Sequence, residues 1–224
     1  MSVNSGTAIS RRLERGSVPK LYALADVEAL GAARTVDAVK ALADLGIGWI
    51  QIRAKSLDDR GLYDLTERAV RAVEGRQARL WINDRADLAM LFPVSGVHVG
   101  QDDLPPEAVR AAVGDRCWIG HSTHDLEQLR AADADPDVDV IALGPIFATT
   151  SKRNADPAVG LETLRQARRL TRKPLIAIGG IDAKRLPGVL RAGADSAAIL
   201  GAICRGDIEP NVRRLQACLT ESKA

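Results

Sequence analysis

Aromatic side chains are nearly missing from this chain, at 3 % of 224 residues. Ala, Val, Leu and Ile are therefore expected to fill most of the core. Cysteine is also sparse. Cys117, Cys204 and Cys218 are odd in number and form no C-x-x-C pair. That excludes a disulfide framework and a structural zinc site, and predicts reduced thiols in a cytoplasmic protein. Net charge is only +2, and no basic run is interleaved with stacking aromatics, so no nucleic-acid partner is expected. No apolar run approaches the roughly 18 residues of a membrane span. The first 17 residues hold Arg11, Arg12 and Arg15 but no apolar signal core. They predict a flexible N-terminal arm, residues 1–18, ahead of one catalytic domain, residues 19–224.

What is present is an ordinary globular mixture, 46 % apolar and 27 % charged, in a length that suits an undivided α/β barrel. Short apolar runs predict strands at 21–25, 49–53, 80–82, 97–99, 117–120, 138–143, 174–178 and 194–200. Helical spacing predicts helices over 34–45 and 59–74 and a brief one over 86–91. Further helices are predicted from Pro105-Pro106, through Leu126 and Leu129, over 161–170, from Asp182 to Gly193, and over 209–219. Eight strand–helix alternations predict a single (β/α)8 TIM barrel. An open doubly wound sheet would show a glycine-rich fingerprint after its first strand, and none follows Asp26.

Barrels of this kind act at the C-terminal rim of their strands. The segment from Trp81 to Asp103 is strand, short helix, strand, so its two strands end on the same edge. Asp84 then converges with one carboxylate of Asp102-Asp103. Such a pair suits Mg²⁺ when a phosphorylated substrate supplies further ligands, although Asp is also common in turns and as a helix cap. Alternation puts Gln51 and Arg53 on one face of the second strand, with Lys55 just beyond. An inward Arg needs an anion, either a diphosphate or a rim carboxylate such as Asp84. Gly179-Gly180, followed by Asp182 at a helix start, with Gly201 after the last strand, predicts a phosphate cradle. The connection over residues 146–160 is long and polar and carries Thr149, Thr150, Ser151 and Lys152, which predicts a lid over phosphates. His98 is assigned a packing or hydrogen-bonding role. His121 and His124 lack a third histidine, and Ser122 shows no Ser-His-Asp arrangement.

QIRAK at 51–55, IND at 82–84, GVHVGQDD at 96–103, GHSTH at 120–124, GPIFATTSK at 144–152 and AIGGI at 177–181 together resemble thiamine-phosphate synthases. The resemblance runs in order from about Leu21 to Ile203. It implies a Mg²⁺-dependent transferase that joins hydroxymethylpyrimidine diphosphate to hydroxyethylthiazole phosphate. Diphosphate leaves and the thiazole nitrogen attacks a pyrimidine cation. By the same resemblance Gln51, Arg53, Lys55, Asn83, Ser122 and Lys152 hold the pyrimidine diphosphate, with Arg53, Lys55, Ser122 and Lys152 as the catalytic set. Asp84 and Asp103 hold the metal. Thr149, Thr150, Ser151, Gly180, Leu200 and Gly201 hold the thiazole phosphate. The chain departs from the family where Gly201 replaces a frequent serine, and where Ala148 and Ser151 replace a threonine-containing lid pattern. Two other readings stay open: a thiazole tautomerase of the same superfamily, in which His124 would matter, and a non-catalytic phosphate-binding barrel. The partners implied are the two small substrates, with a homo-oligomer compatible with the pattern.

Overall fold

The computed structural model describes residues 13, 15–150 and 156–221. Eight parallel strands pair in sequence order and close, β8 against β1, into a barrel. The predicted TIM barrel is the observed fold. In chain order the elements are β1 (Leu21–Asp26), α1 (Val27–Leu30), α2 (Ala32–Asp44), β2 (Trp49–Arg53), α3 (Asp59–Val73), β3 (Arg79–Asn83), α4 (Ala86–Leu91), β4 (Gly96–Val99) and α5 (Pro106–Val113). The second half adds β5 (Trp118–Thr123), α6 (Leu126–Ala134), β6 (Val140–Leu143), α7 (Gly160–Leu170), β7 (Leu175–Ile178), α8 (Leu186–Arg191), β8 (Ser196–Ile199), α9 (Gly201–Cys204) and α10 (Ile208–Glu221).

Aspartates at strand-to-helix corners start three of these helices. Asp26 accepts from Ala29 N, Asp58 from Gly61 N and Asp125 from Gln128 N. Each contact satisfies an amide that has no partner within the helix. Asp182 caps a turn in the same way, accepting from Arg185 N. The regular helix nevertheless starts only at Leu186. Pro187 has no N–H to donate to Ala183, so the predicted start at Asp182 is displaced by one turn.

Strand alternation splits the core in two. One parity of each strand faces the helices, and this layer is aliphatic, as composition predicts. The other parity fills the barrel with Tyr22, Leu24, Trp49, Trp81, Trp118, Val140, Ala142, Ile176 and Ala198. Here the aliphatic expectation fails, because all three tryptophans of the chain sit inside the barrel. The Trp49 and Trp81 rings lie 4.7 Å apart, with Trp118 stacked 6.2 Å from Trp81. Eight strands enclose more space than alanine and valine fill, so a few large rings suffice to close it.

Beneath this aromatic layer, the N-terminal face is held by ion pairs. Asp195 accepts from Arg15 at 3.0 Å, from Arg168 at 2.7 Å and from the amide of Leu175 at 2.9 Å. Asp139 accepts from Arg110 at 2.5 Å and from Ile119 N at 2.8 Å. Most of the predicted N-terminal arm lies outside the described residues. No helix among those residues is long and apolar enough to cross a membrane.

Candidate active site

Above the tryptophans the inward parity turns polar. Arg53 follows Gln51 and Trp49 on β2, Asn83 follows Trp81 on β3, and Ser122 follows Gly120 and Trp118 on β5. Gln51, Arg53, Asn83 and Ser122 line a cavity of about 840 Å³ at the C-terminal rim. Lys55, Asp84, Asp103, Thr149, Thr150, Gly180, Leu200 and Gly201 line the same cavity. Ser151 and Lys152 lie outside the described residues.

The cavity floor is rigid. Buried Gln51 donates to the Tyr22 hydroxyl at 2.8 Å. Burial pushes the Tyr22 phenol well above its ordinary pKa, so it stays protonated. His98 Nε2 lies 2.9 Å from Ser122 Oγ, in keeping with the hydrogen-bonding role assigned to it. Its ring passes so close to β5 that a Cβ on Gly120 would meet Nδ1 at 2.4 Å, and only glycine fits there. Burial, with neighbouring His121, lowers the His98 pKa to about 4. The ring is therefore neutral near pH 7 and orients Ser122 without adding charge. Gln101 donates to the carbonyl of Ser122 at 2.5 Å and lies 3.1 Å from His121 Nε2. His124 Nδ1 donates to Gly144 O at 2.7 Å.

Arg53 meets rim carboxylates other than Asp84. Its guanidinium donates to Asp26, directly across the β1–β2 register, and to Glu28 Oε2 at 3.1 Å. Asp84 pairs instead with Lys55, at 3.1 Å. Asp84 sits just past β3 in the left-handed region, φ 63°, with its amide donating to His98 O at 2.8 Å. Asp tolerates this conformation better than most residues, yet it costs on the order of 1 kcal/mol. Of the Asp102-Asp103 pair, Asp103 turns inward. Gly100 N donates to its Oδ2 at 2.8 Å, while Asp102 is exposed. Burial and then the hydrogen bond with Asp103 raise the Asp84 carboxyl to about 6. Asp103 goes the other way: burial opposes its charge, but the Gly100 amide and Asp84 stabilise it and keep its pKa low. Two carboxyl groups share one site and, near its midpoint, one proton.

Across the cavity, Gly179 and Gly180 turn tightly after β7, at φ 100° and 62°. A Cβ on Gly180 would lie 2.6 Å from Ala148 O, so the turn and the β6–α7 connection pack backbone to backbone. Tyr22, Asp26, Glu28, Arg185 and Arg205 escaped the sequence reading. Alternation along β1 was the available signal for the first two, since Tyr22, Leu24 and Asp26 share the inward parity.

The fold is that of a (β/α)8 barrel enzyme, and one cavity at its C-terminal rim is lined by both a carboxylate pair and a glycine turn. The family model described as thiamine monophosphate synthase matches residues 21–203, and the chain belongs to that family. A thiamine-phosphate synthase of Koribacter versatilis is 45 % identical over 187 residues, covering 82 % of this chain and 88 % of that one. One from Syntrophomonas wolfei is 34 % identical and covers 88 % and 94 %. Among solved structures, a thiamine phosphate pyrophosphorylase from Pyrococcus furiosus superposes with a TM-score of 0.81 at 26 % identity, covering 92 % and 97 %. These relatives are transferases of thiamine biosynthesis.

Proposed function

We propose that the chain condenses hydroxymethylpyrimidine diphosphate with hydroxyethylthiazole phosphate, releasing diphosphate and forming thiamine phosphate. One observation carries this reading. A single cavity has a carboxylate pair flanked by Lys55 at one side and a glycine turn at the other, so two phosphorylated ligands can approach each other within it.

The pair also supports Mg²⁺. Asp84 and Asp103 are hard oxygen donors whose shared proton a divalent cation would replace. Among the described residues no group of three acidic, His or Cys side chains could hold a metal, so substrate and water supply the other ligands. When bound, the cation neutralises charge on the departing diphosphate.

The residues themselves take the remaining tasks. Gln51, Asn83 and Ser122 offer polar contacts at the floor, with Gln51 held by Tyr22 and Ser122 by His98. Arg53 and Lys55 stand over the diphosphate end, where their charge stabilises the leaving group. Lys152 is assigned to the same end, as the resemblance implies. The C–O bond to diphosphate breaks first, and the thiazole nitrogen then forms the new C–N bond to the pyrimidine methylene carbon. Thr149, Thr150, Ser151, Gly180, Leu200 and Gly201 hold the thiazole phosphate so that its ring points at that carbon. The lack of a disulfide at Cys117, Cys204 and Cys218 among the described residues supports a cytoplasmic location.

Asp84→Ala and Asp103→Ala test this reading. Each is expected to cut turnover about 100-fold, with excess Mg²⁺ restoring only part of it. Full turnover by both variants at low Mg²⁺ would remove these residues from the reaction.

A further inference from the structure

The cavity carries positive charge beyond the β2 residues to which the sequence points. Arg53 and Lys55, at the β2 end, each already meet a carboxylate. Arg185 and Arg205 line the same cavity from the segments after β7 and β8, and neither pairs with a carboxylate among the described residues. Both are exposed at the mouth. Neutral groups hold each in place. Arg185 Nη1 donates to Gly180 O at 2.6 Å, and its guanidinium lies 4.6 Å from the centre of the Phe147 ring. Arg205 Nη2 donates to Thr150 Oγ1 at 3.0 Å. Asp182, three residues before Arg185, turns an oxygen to the backbone amide of Arg185.

A guanidinium carries five N–H donors, and among the described residues each of these arginines uses one in a hydrogen bond. The remaining donors keep a full charge beside the glycine turn, on planes already fixed by a carbonyl, a ring and a hydroxyl. Such pre-set forks bind a phosphate monoester dianion with little further loss of side-chain freedom. Gly201, which offers no hydroxyl, also lines the cavity.

We propose that Arg185 and Arg205 together grip the phosphate monoester of the second substrate and make the enzyme select the phosphorylated thiazole over the free alcohol. This rests on the proposed reaction and adds two specificity residues to it. Binding energy at this end is thereby separate from the Lys55 and Asp84 end, which handles the diphosphate.

The test uses the full chain, wild type and the variants Arg185→Gln and Arg205→Gln, in steady-state assays with each substrate varied in turn. Each variant is expected to raise KM for the thiazole phosphate about tenfold and to leave KM for the pyrimidine diphosphate within about twofold. Arg185→Lys and Arg205→Lys should recover only part of the loss, because a point charge replaces a fork. Inorganic phosphate, as a competitor against the thiazole phosphate, should weaken in parallel. An active enzyme whose KM for thiazole phosphate stays unchanged in both Gln variants would overturn the assignment. So would an equal rise in both KM values, which would mean general damage to the rim. An inactive wild type would defeat the proposed reaction itself, and this inference with it.

Discussion

Asp84 combines three properties that rarely occur together in a purely structural residue. It is half-buried, it adopts a left-handed backbone, and its carboxyl is lifted to about 6, first by burial and then by Asp103. Raised above the unfolded value near 3.8, this pKa stabilises the fold fully below about pH 3.8. That contribution is lost as pH rises through about 6. The metal-free protein is therefore under growing strain at this pair as the solution becomes neutral. A divalent cation relieves the strain only where the pair is fully ionised. Mg²⁺ should consequently raise the melting temperature clearly near pH 8 and hardly at all near pH 5, a difference of about 1–3 kcal/mol in stability. Thermal melts across that range measure it. An equal Mg²⁺ effect at both pH values, or its persistence in Asp84→Ala, would place the cation elsewhere. The position of Asp84 at a strand end was legible in the sequence. The partner of Arg53 was not, because it depends on the β1–β2 register, which sets Asp26 beside Arg53. Nothing local to QIRAK encodes that register.

At the scale of elements, apolar runs carried most of the information. Strand β2 occupies the predicted residues, and α4 and α7 differ from their predicted ranges by at most one residue. Helices α1 and α9 went unseen because four residues cannot display a 3.6-residue period. The start of α8 was misplaced by a proline that removes one backbone donor. Composition misled only for the barrel interior. Low aromatic content suggested an aliphatic core, yet the few rings present are concentrated where strands β2, β3 and β5 face inward. Trp81 is fully buried, with Trp49, Trp118 and Tyr22 packed around it. Trp81→Ala should cost about 3–5 kcal/mol and loosen the floor below Asn83. Chemical denaturation measures the stability loss. A cost under about 1 kcal/mol would mean that the rings merely fill space that water or neighbouring side chains can occupy.

Across the whole molecule the two ends of the barrel divide the work. The N-terminal end holds tightly paired charges around Asp195 and Asp139, where ionic contacts join strands and helices. The C-terminal end holds, beside the Arg53 and Lys55 ion pairs, partly satisfied charges: the Asp84–Asp103 carboxyl pair and two arginines with neutral partners. Stability thus rests on one face, and the other is left able to meet ligands. The family was legible because its motifs lie on the strand ends that build this face. The arginines after β7 and β8 were not, since only the closed barrel brings residues of distant sequence to one mouth.

Diphosphate release by the purified chain is the most direct test of the central claim. Both substrates would be supplied with and without Mg²⁺, and then each substrate alone. Stoichiometric diphosphate and thiamine phosphate are expected only when both substrates and the metal are present. Release from the pyrimidine diphosphate alone at the same rate, or no release by a folded protein, would contradict it.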